Sequence, residues 1–184
     1  MPVKVEIDAY RFEELSGKPQ DRARNWLVEV ASEHGWWDST YEHWIDLLKE
    51  KGINTDAEKI TFRGFSSQGD GASFTGTIDV PRFMLAHGMV GDNLAVYAAA
   101  ISGEDVWANL VRVSSGYVHD STVSLESAGI PGDMEADMQL VCRAWMRKLY
   151  YELQKEYDEM TSDPALTELA EANEWMFDEQ GRKI

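Results

Sequence analysis

The chain has 184 residues, 43% of them hydrophobic, and a net charge of −16 at pH 7. Such a negative field repels nucleic-acid phosphates and anionic membranes, so it disfavours binding to either and favours a basic protein partner. One cysteine, Cys142, excludes an internal disulfide, and the longest apolar run, residues 95–101, is too short to span a membrane. We expect a single cytoplasmic globular domain over residues 1–184 with no membrane segment.

The N-terminal third of the chain predicts one strand followed by two helices. Apolar and charged side chains alternate in residues 3–10, which predicts a short strand. The first helix has Ser16 as its expected N-cap. The second begins at a capping box formed by Ser39 and Glu42 and ends at Gly52.

The middle of the chain predicts two hairpins separated by two short helices. Alternating apolar residues in 59–65 and 73–80 predict two strands, joined by the glycine-rich part of GFSSQGDGASFTG. The first short helix opens near Pro81, and the second has Asp92 as its expected N-cap. The second hairpin turns at Gly116.

The C-terminal third predicts two more helices. The long helix, 133–160, carries an apolar stripe that includes Trp145, which we expect to pack on the sheet, and Cys142, which we expect to be buried. A last helix starts at Asp163 and runs to about Asp178. The complete order predicts an α+β fold, with an antiparallel sheet of four or five strands packed by about six helices.

The glycine-rich connection is the main candidate for a binding site. Gly69 and Gly71 flank Asp70, and glycines on both sides allow backbone N–H groups to converge on a phosphate or carboxylate. The stretch lacks the lysine and the spacing of a P-loop, so it is not typical of a nucleotide cradle. We expect Ser67 and Gln68 to face solvent or a ligand.

A second polar cluster, YVHDST, contains His119, which we expect to lie beside the glycine-rich loop. Ser67 or Ser73 with His119 and an aspartate would have the composition of a hydrolytic set. Adjacent residues of a strand point to opposite faces, so Asp70 rather than Asp120 is the expected partner of His119. A structural loop, a ligand site and a catalytic site all remain open, and the absence of a G-x-S-x-G elbow counts against catalysis.

The remaining charged residues predict a protein surface rather than a cofactor site. Three histidines, His34, His43 and His87, lie on separate predicted helices without the spacing of metal ligands, so we expect neither a metal nor a cofactor. The long helix is strongly acidic. The candidates for an acidic interface on this helix are Glu152, Glu156 and Glu159.

Four stretches that span nearly the whole chain form a recognisable set: YRFEELSGKPQDRARNWL, ITFRGFSSQGDGASFTG, GYVHDSTV and EANEWMFDEQGRKI. Together they resemble a family of small phage- and prophage-encoded proteins, often labelled antitoxins of a toxin–antitoxin stability system. The most specific part is the motif GFxSQGDGAxFxG. The resemblance implies a mobile-element origin and no particular reaction. Ser66 and Ser73 stand where an aromatic residue and a cysteine are common in the family, which counts against a shared thiol chemistry.

The resemblance and the acidic charge together favour a phage or mobile-element accessory protein. It would inhibit a host defence or toxin component by protein binding, as anti-restriction, anti-CRISPR or antitoxin proteins do, with its acidic surface competing for a basic groove. The alternative is a protein that binds or hydrolyses a nucleotide-like small molecule with the glycine-rich loop. We expect a non-enzymatic role.

Overall fold

The structure is a computed structural model that describes residues 6–33, 35–114 and 116–184. Its contacts divide the chain into a central unit, Trp37–Gln154, and a terminal unit, which comprises the described residues of Met1–Trp36 together with Lys155–Ile184. The described residues contain six α-helices, a four-stranded antiparallel sheet and a two-stranded sheet, which confirms the expected α+β class. The single domain over residues 1–184 stays a prediction.

The six helices and the two predicted hairpins follow one another in the predicted order, and the two-residue strand Ile53–Asn54 was not predicted. The helices are α1 (Lys18–Ser32), α2 (Asp38–Glu50), α3 (Val80–Ala86), α4 (Leu94–Ser102), α5 (Gly132–Met160) and α6 (Asp163–Ala172). The strands are β1 (Ile53–Asn54), β2 (Ile60–Arg63), β3 (Gly71–Phe74), β4 (Gly76–Ile78), β5 (Trp107–Arg112) and β6 (Val123–Ala128).

The four-stranded sheet has the order β1-β4-β5-β6, and all of its neighbouring strands are antiparallel. Its register aligns Ile53 with Ile78 and Ile78 with Ala108, and all three are buried. The adjacent positions alternate to the opposite face, where Asn54 and Thr77 are exposed. One face of the sheet therefore packs on the core of the central unit, and the other is polar.

The strand predicted over residues 73–80 is divided between the two sheets. β3 pairs with β2 in the two-stranded sheet, whereas β4, which is separated from β3 by the single residue Thr75, joins the four-stranded sheet. Gly76 has φ +155°, and a Cβ there would collide with the carbonyl oxygen of Asn54. Glycine therefore allows β1 to approach β4 closely at the point where the chain changes partners.

The long helix α5 lies alongside β6 in the central unit. Gln139 accepts a hydrogen bond from the backbone N–H of Leu125 at 3.0 Å, and Ser127 donates to Glu135 at 2.5 Å. Cys142 is fully buried on the apolar face of α5, as predicted, and burial raises the pKa of its thiol to about 12.

The ring of Trp145, which was predicted to pack on the sheet, contacts Trp44 of α2 and His87 at the end of α3. Trp145 is half-buried on α5, its ring makes an edge contact with Trp44 at 5.9 Å, and its Nε1 donates to Nε2 of His87 at 3.2 Å. Burial lowers the pKa of His87, with a smaller contribution from Lys51, so the ring favours the neutral form that accepts this bond. Trp145 thus joins helices to one another.

The terminal unit has its own apolar core, formed by α1, α6 and a short 3₁₀ turn, Phe12–Glu14. The buried members of this core are Phe12, Leu15, Ala23, Leu27, Leu166, Ala170 and Phe177. Residues 3–5 of the predicted N-terminal strand lie outside the described residues. Residues 6–9 form no strand, and Tyr10 makes a single antiparallel bridge to Phe177.

Helix ends differ from the predicted ones by a few residues, as is usual for sequence-based boundaries. The N-caps of α1 and α4 are Gly17 and Asn93. The α2 helix starts after Trp37, whose ring packs on Phe62 at 5.4 Å, so ring packing rather than a polar cap marks its start. The α6 helix ends before residue 174, which has left-handed backbone torsions that stop a helix.

Candidate functional site

The loop of residues 64–70, which joins β2 to β3, is closed by the side chain of Asp70. Its Oδ2 accepts hydrogen bonds from the backbone N–H groups of Ser66, at 2.9 Å, and Ser67, at 2.7 Å. A Cβ on Gly64 would lie 2.6 Å from the same Oδ2, so only glycine leaves room for the carboxylate. The N–H groups of Ser66 and Ser67 are therefore already bonded to a carboxylate of the loop itself.

The loop also packs directly on the segment that contains His119. A Cβ on Gly71 would lie 2.7 Å from the carbonyl oxygen of Val118 and 3.1 Å from Cα of His119. A Cβ on Gly69, which has φ +96°, would lie 2.5 Å from the ring of Tyr117. The structure thus places residues 117–119 against the loop through glycines that permit close approach.

The prediction that His119 pairs with Asp70 is wrong. Nδ1 of His119 contacts Oδ1 of Asp120 and lies 3.1 Å from Oγ of Ser121. Among the described residues, no bond joins His119 to Asp70. The reason is local conformation, because His119 is the N-cap of a 3₁₀ turn, Asp120–Thr122, rather than a strand residue. The rule that adjacent side chains point to opposite faces does not apply to such a turn.

Asp120 anchors this segment to α5. It is buried, and its Oδ2 accepts a hydrogen bond from Nη1 of Arg147 at 2.9 Å, while its Oδ1 faces His119. In a hydrolytic triad the serine and the aspartate bond to opposite nitrogens of the histidine ring. Here Ser121 and Asp120 share Nδ1, so the arrangement favours a positioning role over catalysis.

Ser73, the other serine proposed for the site, lies in strand β3. It is fully buried, and its Oγ accepts a hydrogen bond from Arg112 at 3.3 Å and lies 3.4 Å from Oγ1 of Thr61 on the paired strand. Ser67 and Gln68, by contrast, are exposed on the loop. The structure therefore places His119 beside Gly71, bonds Ser67 to Asp70 and leaves Ser73 inside the sheet. The convergence of Ser67, Gln68, Asp70 and His119 at one site stays a prediction.

Aromatic rings lie beside the loop at two of its residues, Phe65 and Gly69. Phe65 lies 5.5 Å from the ring of Tyr150, which in turn lies 6.0 Å from that of Tyr151. Tyr151 is 64% exposed, and Tyr117, which lies beside Gly69, is 61% exposed. We define the loop surface as loop 64–70 together with the rings of Tyr117, Tyr150 and Tyr151. Sequence reasoning missed these rings, although adjacent tyrosines on a helix are a usable signal because they cannot both face the core.

Asp70 also influences the electrostatics of this surface. Burial raises the pKa of Tyr150 above its ordinary value, and the negative charges of Asp70 and, to a smaller extent, Tyr151 raise it further. The carboxylate therefore acts on both the loop backbone and the neighbouring aromatic ring.

A family model for a domain of unknown function, DUF8835, matches residues 36–163. The chain belongs to the DUF8835 family. The match includes the whole central unit, with the loop surface and Asp120. No curated protein and no solved structure matches the chain. Residues 6–33, 35 and 164–184, which belong to the terminal unit, lie outside the DUF8835 match.

The DUF8835 domain also carries an open groove of about 700 Å³ at the end of the β2–β3 hairpin opposite to the loop. Its polar lining includes Asn54, Thr77 and Asn109, which the register of three strands aligns in one row. None of these three side chains forms a hydrogen bond within the part of the chain that the structure describes. These three residues are far apart in sequence and become neighbours only through strand register, so the sequence alone did not predict the groove.

The predicted acidic interface lies on α5. Glu152 and Glu159 are exposed and Glu156 is half-buried. Glu159 lies 3.8 Å from Nζ of Lys155 in a pair that is 70% exposed on both sides, and such pairs contribute little energy. The role of these glutamates in an interface stays a prediction.

The described residues provide no group of three His, Cys, Asp or Glu side chains placed to hold a metal ion. The helices among residues 6–33, 35–114 and 116–184 likewise include none that is long and apolar enough to cross a membrane.

Proposed function

We propose that this DUF8835 protein acts by binding another protein through the loop surface and that it is not an enzyme. The observation that carries the proposal is the closure of the loop by Asp70, which holds Ser67 and Gln68 in one exposed arrangement before any partner arrives. A preorganised loop loses less conformational entropy on binding than a mobile one. The central claim is therefore that the loop has a single closed conformation in the free protein.

The aromatic rings supply the contact area that a protein partner needs. Tyrosine is enriched at interfaces and at their most energetic positions because it buries a large ring with few rotatable bonds and keeps a polar hydroxyl. Tyr117 and Tyr151 are both more than half exposed. A partner that covers the loop would bury both rings.

The charge supports a partner with a basic surface. The central unit contains 17 Asp and Glu residues against 9 Lys and Arg residues, a net charge of −8. This field accelerates encounter with a positive surface and opposes encounter with nucleic acid. On the strength of the sequence resemblance, we propose that the partner is a host defence or toxin component and that the protein comes from a phage or mobile element.

The test combines capture of the partner with measurement of its affinity. Tagged protein captures the partner from a host-cell lysate, mass spectrometry identifies it, and calorimetry with both purified proteins gives the dissociation constant. We expect Gln68→Ala and Tyr151→Ala each to weaken binding by about tenfold or more, as substitutions at energetic interface positions do. The melting temperature should stay unchanged.

Leu94→Ala is the matched control, because Leu94 on α4 is 63% exposed and lies outside the loop surface. It should leave the dissociation constant unchanged. Full affinity in both loop-surface variants would refute the proposed surface.

A second candidate function, binding of a nucleotide-like small molecule, is favoured by the groove that contains Asn54, Thr77 and Asn109. Its volume of about 700 Å³ is within the usual range for small-molecule sites, and its three polar side chains, which have no hydrogen bond among the described residues, are available to orient a ligand. Native mass spectrometry of the purified protein tests this candidate, which predicts a bound small molecule that is lost in Asn109→Ala.

A further inference from the structure

The terminal unit has a separate groove of about 590 Å³, beside the 3₁₀ turn Phe12–Glu14 and the C-terminal end of α6. It lies outside the part of the chain that matches DUF8835. Its apolar lining consists of Phe12, Ala170, Trp175 and Met176. Its polar lining consists of Arg11, Glu13, Thr167, Glu171 and Glu174.

The charge of this groove favours a cation. Its lining contains three acidic residues, Glu13, Glu171 and Glu174, and one basic residue, Arg11. The C-terminal end of a helix adds partial negative charge, and the last turn of α6 contains no basic residue to offset it. The groove therefore attracts a positively charged group and repels an anion.

The apolar lining has the shape and chemistry for a long basic side chain. Lysine and arginine lay their methylene stems on apolar surface and keep the charged end in polar surroundings. Trp175 belongs to this lining, its ring makes an edge contact with Trp26 at 4.9 Å, and an indole ring is the aromatic group that attracts a cation most strongly. A simple metal cation would gain nothing from this lining.

Two lining residues of the groove, Arg11 and Glu171, form a weak ion pair. Nη1 of Arg11 lies 4.0 Å from Oε1 of Glu171, and both side chains are more than half exposed. Exposed pairs of this kind contribute little energy, so a second cation can displace Arg11 from Glu171 at low cost.

Glu174 occupies a position where helices normally have glycine. Its φ of +55° makes it the one non-glycine residue with positive φ among the described residues, and it follows the C-cap Asn173. Glycine adopts this conformation without the steric cost that other residues bear. Glu174 thus places a carboxylate at the groove although the backbone conformation at this position favours glycine.

We propose that this groove binds a lysine or arginine side chain of the protein partner. This inference rests on the proposed function and identifies a second contact on the terminal unit, made by different residues from the loop surface. Charge complementarity selects the occupant, since the groove combines three carboxylates with an aromatic and thioether lining.

The test uses an acetylated and amidated hexa-arginine peptide as the probe, titrated into the full chain labelled with ¹⁵N. We expect chemical-shift changes to concentrate at the groove, including the Trp175 indole. Glu171→Gln and Glu174→Gly should each weaken peptide binding roughly fivefold, as loss of a partly exposed ion pair does. Glu168→Gln removes the same charge from the exposed face of the same helix, outside the groove, and should change binding less than about twofold.

Glu174→Gly separates binding from folding, because glycine relieves the left-handed backbone and should raise the melting temperature while binding falls. Equal losses in Glu168→Gln and the groove variants, or shift changes spread evenly over the acidic surface, would overturn the inference. Gln68→Ala should bind the peptide as the wild type does. Normal peptide binding by the groove variants would refute the groove and leave the loop surface standing, whereas retained partner binding by the loop variants would refute only the loop surface.

Discussion

The loop of residues 64–70 and the turn after α6 both need left-handed backbone, and they meet this need with different residues. The loop uses Gly64, at φ +46°, and Gly69, at φ +96°. The turn after α6 uses Glu174, at φ +55°. At the two loop positions a Cβ would meet the carboxylate of Asp70 or the ring of Tyr117, so packing as well as torsion demands glycine.

The fold determines the residues of the loop, whereas charge determines the residue at position 174. The loop glycines are explained by the side chains packed against them. Glutamate at position 174 is not explained by its backbone, which favours glycine, but it is explained by a groove that binds cations. The account therefore predicts opposite signs of stability change for substitutions in the two regions.

The largest effect is expected for Gly71→Ala at the base of the loop. Its new methyl group would meet backbone atoms of Val118 and His119, which cannot rotate away as a side chain could. Overpacking of this kind costs about 2–3 kcal/mol in free energy of unfolding. Urea denaturation measures the loss.

Gly116→Ala is the control, because among the described residues nothing lies within 4 Å of its Cβ position. It should leave the free energy of unfolding nearly unchanged. If both variants lose the same stability, the contact between the loop and residues 117–119 is absent.

A smaller loss is expected for Asp70→Ala. The variant leaves the N–H groups of Ser66 and Ser67 without their acceptor and should cost about 1–2 kcal/mol. Asp92→Ala removes an exposed aspartate that forms no ion pair among the described residues, and it should change stability by less than about 0.5 kcal/mol. Thermal unfolding of the two variants distinguishes a closed loop from an open one.

In the turn after α6 a substitution is expected to increase stability rather than to decrease it. Glu174→Gly should raise the free energy of unfolding by about 1 kcal/mol, since it removes the cost of a left-handed non-glycine residue. Asn173→Gly, one position earlier, should bring no gain, because Asn173 has φ −100° and its Nδ2 donates to the carbonyl of Leu169 at 2.8 Å. A destabilised Glu174→Gly would show that the glutamate supports the fold.

The smallest effect concerns the ionisation of Tyr150. Because its folded pKa is raised, neutral Tyr150 stabilises the protein below its ordinary pKa, and this contribution is lost as the pH rises through the folded pKa. Asp70→Asn should lower the pKa of Tyr150 only in part, since burial is the larger cause. Ultraviolet titration, with Tyr150→Phe as the reference that identifies the signal of Tyr150, measures the shift. An unchanged pKa of Tyr150 in Asp70→Asn would show that Asp70 lies too far from the ring to affect its ionisation.

Strong local patterns predicted most of the fold. The helix α5 followed from a long apolar stripe with 3.6-residue spacing, and the β2–β3 hairpin followed from alternation on both sides of a glycine-rich loop. The division between β3 and β4 could not be predicted from local patterns. It depends on the close approach of β1 to Gly76, and these two segments are distant in sequence.

The site was predicted less completely than the fold. The neighbourhood of Gly71 and His119 was expected, but the His119–Asp120 contact was not, because a 3₁₀ turn replaces the predicted strand there. Neither groove was predicted. Asn54 and Asn109 come together through strand register, and Phe12 and Trp175 come together through the tertiary packing of the terminal unit, so neither pair leaves a periodic signal.

Hydrogen–deuterium exchange at the amides of Ser66 and Ser67 tests most directly whether the free loop is closed. Both N–H groups donate to Asp70, so the account predicts exchange at least roughly tenfold slower than in an unstructured peptide, with the protection lost in Asp70→Ala. Exchange in the wild type at the rate of an unstructured peptide would contradict the preorganised loop, and with it the basis of the proposed binding surface.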